Sequence, residues 1–216
     1  MDVAVIGGHG QTALRLLALL AGRDDRARGV IRNPDHAADL EAAGAEPVIC
    51  DLEQATSAAL AGAIEGADAA VFAAGAGPGS GPERKQTVDL GGAAKLVEAC
   101  REAGIGRYLM ISAMGAGREL NSLPEAMQPY YAAKIAADDA VRDSGLEFTI
   151  VRPGRLTDDA GNGRIEAAPQ LDRSGEVTRD DVAATVLACL DERGTIGKTF
   201  DVLGGETPIV EALQAL

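Results

Sequence analysis

The stretch Val3-Ala4-Val5-Ile6-Gly7-Gly8-His9-Gly10-Gln11-Thr12-Ala13 decides the fold. Four apolar residues without polar alternation read as a strand buried on both faces. The chain then turns through glycines at 7, 8 and 10 and enters a segment with leucines at 14, 16, 17, 19 and 20, spaced as on a helix. Two registers fit the turn: GxGxxA counted from Gly8, and GxxGxxA counted from Gly7. The second is preferred, because the strand should deliver the chain at Gly7. In either register the glycines allow a tight turn and a close backbone approach to an anion. The helix that follows offers its first N–H groups, at Gln11 and Thr12, and its positive dipole end. Ala13 is small enough for close helix–strand packing.

Outward from this junction the same rhythm repeats. Short apolar runs at Gly29–Ile31, Glu46–Cys50, Ala69–Ala73, Arg107–Ser112 and Glu147–Val151 read as strands. Between them, helices are expected at about 34–43, 55–64, 83–103 and within 124–144, with Pro34 suited to a first helical turn. After Pro153 the pattern weakens. Residues 155–175 read as loop with a short hairpin, followed by a helix at about 179–190, a strand at Thr199–Leu203 and a short helix after Pro208. The alternation predicts an α/β, Rossmann-type, doubly wound and mostly parallel sheet with helices on both faces. The expected organisation is one NAD(P)-binding domain over 1–216, with 155–216 supplying the lid and a small C-terminal substrate region.

The chain has 216 residues and a formal net charge of −13. Such an acidic surface repels phosphate backbones, so no nucleic-acid partner is expected. Cys50, Cys100 and Cys189 are scattered without a CxxC pair, which reads as reduced thiols of a cytoplasmic protein and gives no metal site. No secretory leader is read at the N-terminus. The longest apolar run, Ala13–Ala21, contains Arg15 and is too short for a bilayer, so no membrane partner is expected. The expected partner is a small molecule, with the protein a monomer or homodimer.

In a doubly wound sheet the ligand lies beyond the carboxyl ends of the strands. Those ends therefore hold the candidate cofactor residues. Ile31-Arg32-Asn33 puts a cation where an NAD site carries a carboxylate for the ribose 2′-hydroxyl; Arg32 suits a 2′-phosphate, so NADP(H) is expected over NAD(H). Asp35 lies near enough to blur that preference. Asp51, beside Leu52 after the third strand, is placed to accept a hydrogen bond from the adenine amino group, to cap the next helix, or to do both. Ala74 and Gly75 leave room for ribose and pyrophosphate. His9 faces the cofactor from the loop with no partner visible in the sequence, and His36 reads as a solvent-facing helix residue.

Tyr130-Tyr131-Ala132-Ala133-Lys134 puts a phenol and an ammonium four residues apart on one helix face. A phenol is a poor acid–base catalyst near neutrality, and a neighbouring cation lowers its pKa. Lys134 can also hold the nicotinamide ribose. Ser112, at the end of the fifth strand, can orient a substrate carbonyl beside Tyr130. The catalytic candidates are thus Ser112, Tyr130 and Lys134, a set suited to hydride transfer with Tyr130 as proton donor. Tyr131 is the competing phenol. Arg118 and Arg164 read as surface residues that could meet an acidic substrate, and Gly77–Pro82 reads as a mobile rim.

Gly7-x-x-Gly10-x-x-Ala13, Arg32-Asn33-Pro34, Asp51-Leu52, Ala74-Gly75, Ser112, Tyr130-x-x-x-Lys134 and Val151-Arg152-Pro153-Gly154 together resemble the short-chain dehydrogenase/reductase superfamily. Within it the chain is similar to the atypical NmrA-like and epimerase-like members with a single NAD(P)-binding domain. Leu156-Thr157-Asp158 and Thr178–Ala183 also look like this subgroup. The resemblance covers essentially the whole chain and implies that Pro153-Gly154 form the strand-end turn beside the nicotinamide. One departure is Asp89, where the superfamily often has an asparagine supporting the lysine; a carboxylate there should raise the lysine pKa. The resemblance implies an NADP(H)-dependent oxidoreductase acting on a small carbonyl, quinone or flavin-like substrate. The alternatives are a sugar-nucleotide epimerase or dehydratase, for which the substrate lobe is short, and an NADPH-sensing regulatory protein without turnover.

Overall fold

The computed structural model describes residues 1–77 and 79–216; Pro78, in the expected mobile rim, lies outside the described residues. The strands are β1 (Asp2–Ile6), β2 (Arg26–Ile31), β3 (Glu46–Ile49), β4 (Ala69–Phe72), β5 (Arg107–Ile111), β6 (Glu147–Pro153), β7 (Arg155–Thr157), β8 (Arg164–Ala168), β9 (Glu176–Thr178), β10 (Lys198–Gly204) and β11 (Thr207–Pro208). The helices are α1 (Gln11–Ala21), α2 (Ala37–Ala42), α3 (Ser57–Ile64), the single turn α4 (Pro82–Arg84), α5 (Gly91–Ala103), α6 (Gln128–Arg142), α7 (Arg179–Asp191) and α8 (Ile209–Gln214).

The main sheet has the order β11-β8-β10-β6-β5-β4-β1-β2-β3. All its pairings from β10 to β3 are parallel. Both faces of the central strands are buried, as continuous apolar runs require. Val3 and Val5 of β1 enter one core cluster with Leu16, Leu17, Leu20 and Val182, while Ala4 and Ile6 enter the opposite one with Leu60, Leu96 and Tyr108. Helix α1 packs on α7 over the first face and α3 on α5 over the second. From β1 the chain builds outward to β2 and β3 on one side, then returns to place β4 on the other. The crevice at this reversal is where a doubly wound sheet receives its ligand.

The expected helix at 83–103 is interrupted. Lys85–Leu90 forms a π-helical turn between α4 and α5. The wider turn accommodates an extra residue and directs Asp89 inward, where its carboxylate oxygen Oδ2 accepts from the Ala76 N–H at 3.2 Å. The 34–43 helix likewise divides into a 3-10 turn, Pro34–His36, and α2, with Asn33 Oδ1 accepting from the Asp35 N–H at 3.1 Å.

The segment 155–175 holds no hairpin of its own. Strand β8 joins the main sheet antiparallel to β10, in register Asp201↔Ala168 to Gly204↔Ile165, and fully buries Ile165. Strand β7 pairs parallel with β9 instead. Both partners are distant in sequence, so local spacing carried no sign of them. Among the described residues, no helix is long and apolar enough to cross a membrane and no cluster of side chains is arranged to hold a metal.

Candidate functional site

β1 ends at Ile6, and Gly7 follows with φ +82°. A Cβ on Gly7 would stand 2.7 Å from the Ala74 Cα, and one on Gly8 would stand 2.8 Å from the Gly29 Cα. Gly7 is therefore the residue that turns the chain, in the register counted from it. Gly10 precedes α1 with its N–H on the Gly7 carbonyl at 2.9 Å; no side chain caps the helix, and its first turn has no acidic residue. The helix start at Gln11 and Thr12 thus keeps its uncapped N–H groups and its positive dipole end.

A cavity of about 330 Å³ opens at this point. Gly7, His9, Gly10, Ala74 and Gly75 line it, with Arg32, Asp51 and Leu52 at the ends of β2 and β3. The small-residue cradle and the uncapped helix fit the adenosine and pyrophosphate of a dinucleotide. Gln11 and Thr12 belong to the helix start rather than to the cavity wall.

Two histidine expectations change. His9 has a partner: its Nε2 lies 2.7 Å from Asp39 Oδ2. His36 is not solvent-facing but half-buried; it lines the cavity and stacks on His9 at 3.6 Å between ring centroids. Asp51 does not cap α3. Its Oδ1 accepts from the Glu53 N–H at 2.9 Å, and Thr56 caps the helix by accepting from the Ala59 N–H at 3.2 Å.

Glu53 and Arg84 are the residues that sequence reasoning missed. Glu53 Oε2 accepts from Arg32 at 3.3 Å and from Arg84 at 3.0 Å, while Thr87 donates to Oε1 at 2.9 Å. Partial burial pushes the Glu53 carboxyl up, but Arg84 and Thr87 outweigh it and hold the pKa below the ordinary value. No spacing rule links 32, 53 and 84; only the sheet order brings them together.

A second cavity, of about 510 Å³, lies beyond β5 and β6. Ser112, Tyr130, Pro153 and Gly154 line it. A Cβ on Gly154 would stand 2.5 Å from the Gly175 carbonyl oxygen, so only glycine lets these backbones meet. Tyr131 packs against Gly115, whose added Cβ would stand 2.2 Å from the ring, and it meets Tyr130 edge-on at 5.0 Å. Lys134 is buried and lines neither cavity. Its Nζ lies 5.9 Å from the Tyr130 ring centroid, as does the Nζ of Lys85 from the π-turn, a second cation that sequence reasoning missed.

Beneath this cavity is a layer of buried charge. Lys134 Nζ pairs with Asp89 Oδ1 at 3.0 Å. Burial pushes the Lys134 ammonium down, but Tyr130 and Asp89 outweigh it and hold its pKa above the ordinary lysine value. For Tyr130 the balance differs from the sequence expectation. Lys134 does pull the phenol down, yet burial is the larger effect and raises it. Arg152 Nε donates to Asp138 Oδ2 at 2.7 Å, with both side chains buried. Burial holds the Asp138 carboxyl above its usual range, opposed by the Ser112 hydroxyl and Arg152. The Ser112 Oγ itself is outside hydrogen-bonding geometry with any of the described residues.

The fold, with a Tyr-x-x-x-Lys helix beside a strand-end serine, matches an assignment to the atypical short-chain dehydrogenase/reductases. That class comprises NAD(P)-binding oxidoreductases and epimerases. The chain belongs to the NAD(P)H-binding family, whose sequence model matches residues 7–193. It is 45% identical over 217 residues, the full length of both chains, to the "Uncharacterized sugar epimerase YhfK" of Bacillus subtilis. Among solved structures it is similar to the "Putative NAD-dependent epimerase/dehydratase" of Bacillus halodurans, with TM-score 0.94, 35% identity and 100% of both chains covered. It is also similar to the oxidoreductase ylbE of Lactococcus lactis, with TM-score 0.87, 27% identity, and 100% and 96% covered.

Proposed function

We propose that the protein is an NADP(H)-dependent oxidoreductase that transfers hydride to or from a small carbonyl, quinone or flavin-like substrate. The observation that carries this reading is the single 510 Å³ cavity lined by both Ser112 and Tyr130, with Lys134 held 5.9 Å from the Tyr130 ring. The nicotinamide, when bound, supplies the hydride. The chain supplies the rest. Ser112 donates its hydroxyl to the substrate oxygen. Tyr130, kept protonated by burial, gives that oxygen a proton, and Lys134 stabilises the phenolate left behind. A carbonyl substrate would thus gain one hydride, drawn from the reduced nicotinamide, and one proton from Tyr130, and would become an alcohol. Residues 155–216 serve as the substrate wall of the same domain.

Gly7, Gly10, Gln11 and Thr12 hold the pyrophosphate, Asp51 and Leu52 the adenine, and Ala74, Gly75, Pro153 and Gly154 the riboses and nicotinamide, while Lys134, buried on Asp89, acts through Tyr130. His9 borders the phosphates, with its ring fixed by Asp39. Arg32 and Arg84 share one carboxylate, which leaves excess positive charge for a 2′-phosphate and supports NADP(H) over NAD(H). The relatives' names favour a second reading, a sugar-nucleotide epimerase or dehydratase that recycles a retained nicotinamide.

Titration with NADPH and NADH, beside nucleotide consumption with aldehydes, ketones, quinones and flavins, tests these readings. Tyr130→Phe should lower carbonyl turnover by about 10²–10⁴-fold while keeping NADPH affinity. Arg32→Ala should weaken NADPH about tenfold or more and spare NADH. Unchanged turnover in Tyr130→Phe would remove the proton-donor role. Tight nucleotide binding without consumption would favour the epimerase or a regulatory protein, and no binding of either nucleotide would end the proposal.

A further inference from the structure

Arg118, Arg155 and Arg179 all line the 510 Å³ cavity. Two of them are neutralised: Arg155 pairs with Glu176, and Arg179 with Asp158 at 3.0 Å. Arg118 has no carboxylate within ion-pair distance among the described residues. Its one side-chain bond is a long one, Nη2 to the Arg173 carbonyl at 3.4 Å. Asp201, buried beside Gly117, feels the Arg118 charge but stands beyond ion-pair distance and already accepts from the Leu171 N–H at 3.0 Å. In a chain of net charge −13, where carboxylates outnumber cations 33 to 20, a pocket guanidinium without a carboxylate is an exception. The same cavity contains a second polar group, the buried Ser112 hydroxyl, which lies close enough to Asp138 to lower the pKa of its carboxyl. The wall of the same cavity also includes Met114, Leu123, Tyr131 and Leu156.

We infer that the substrate is an organic acid: a carbonyl compound with an apolar body, its carboxylate held by Arg118 and its carbonyl oxygen by Ser112. One unpaired guanidinium matches one carboxylate, which it can hold bidentately. The dianion of a phosphate would leave a charge uncompensated. Arg164, the other cation that could meet an acidic substrate, is excluded by position, since it is exposed on β8 and donates to the Glu206 carbonyl.

This inference rests on the oxidoreductase reading, and the test separates the two. Matched aryl-substituted keto acids and their methyl esters are offered with NADPH, and the binding of each acid to the protein–NADP⁺ complex is measured by calorimetry. The expected result is a kcat/KM at least about tenfold higher for acid than for ester, arising in KM, which corresponds to about 1.4 kcal/mol. Arg118→Gln should abolish that preference, Arg118→Lys should restore part of it, and Arg164→Gln should leave it intact. Acid binding that is lost in Arg118→Gln, without turnover by any variant, would uphold the anion site and end the oxidoreductase reading. Equal kcat/KM for acid and ester, an acid preference that survives Arg118→Gln, or no acid binding at all would overturn the inference.

Discussion

One side of the first cavity is backbone and small side chains, Gly7, Gly10, Ala74 and Gly75, with Arg32, His36, Asp51 and Glu53 among the larger residues that complete it, whereas the second rests on a buried layer of ion-paired side chains, Lys134–Asp89 and Asp138–Arg152. Backbone walls specify a ligand by close approach and by aligned N–H groups, and they need few residue identities. A charged layer specifies geometry through pairs whose members come from different elements: α6 for Lys134 and Asp138, the π-turn for Asp89 and β6 for Arg152. The first design suits a ligand shared by many proteins; the second can be retuned by single substitutions. Damage should accordingly separate, with changes in the first cavity lowering nucleotide affinity and changes under the second lowering stability and turnover while sparing that affinity.

The largest expected effect is on the charged layer. Arg152→Leu leaves Asp138 buried without its cation and should cost about 3–5 kcal/mol in chemical denaturation. Adding Asp138→Asn should recover part of the loss. Nucleotide affinity of the folded fraction should change little; a large fall there would break the separation. Gly7→Ala comes next. It forces a Cβ against Ala74 at φ +82° and should cost about 2–4 kcal/mol, with nucleotide affinity falling in parallel. Titration and denaturation on the same variant check both losses.

The smallest effect lies in alkaline solution. The Lys134 pKa is raised on folding, so the stability that its charge contributes is complete below the ordinary lysine value. It is lost as pH rises through the raised folded value. Urea midpoints followed from about pH 8 to about pH 11 should show a decline that the double variant Asp89→Asn, Lys134→Met lacks. An identical decline in both would assign the titration to other groups.

How much of this was legible in the sequence follows the same division. The β1–Gly7–α1 junction could be read directly, because glycine at a strand end constrains the backbone locally. The parallel order followed from the apolar runs. Strand β8 could not be read, since its partner β10 begins thirty residues after it and only tertiary packing decides between a hairpin and sheet addition. Tyr130 and Lys134 stand out by helical spacing, but the outcome for the phenol depends on burial, which the YxxxK pattern does not encode. Glu53 and Arg84 carried no signal at all, because the contact between them is created by topology.

The π-helical turn at Lys85–Leu90 has a consequence for descent. Such a turn carries about one residue more than its α-helical counterpart. Deleting that residue would rotate Asp89 by roughly 100° about the helix axis, away from Lys134 and the Ala76 N–H. The acid that supports the lysine is therefore held in place by the length of the chain as much as by residue type. A lineage could gain or lose it through one codon inserted or removed, with no substitution at either partner.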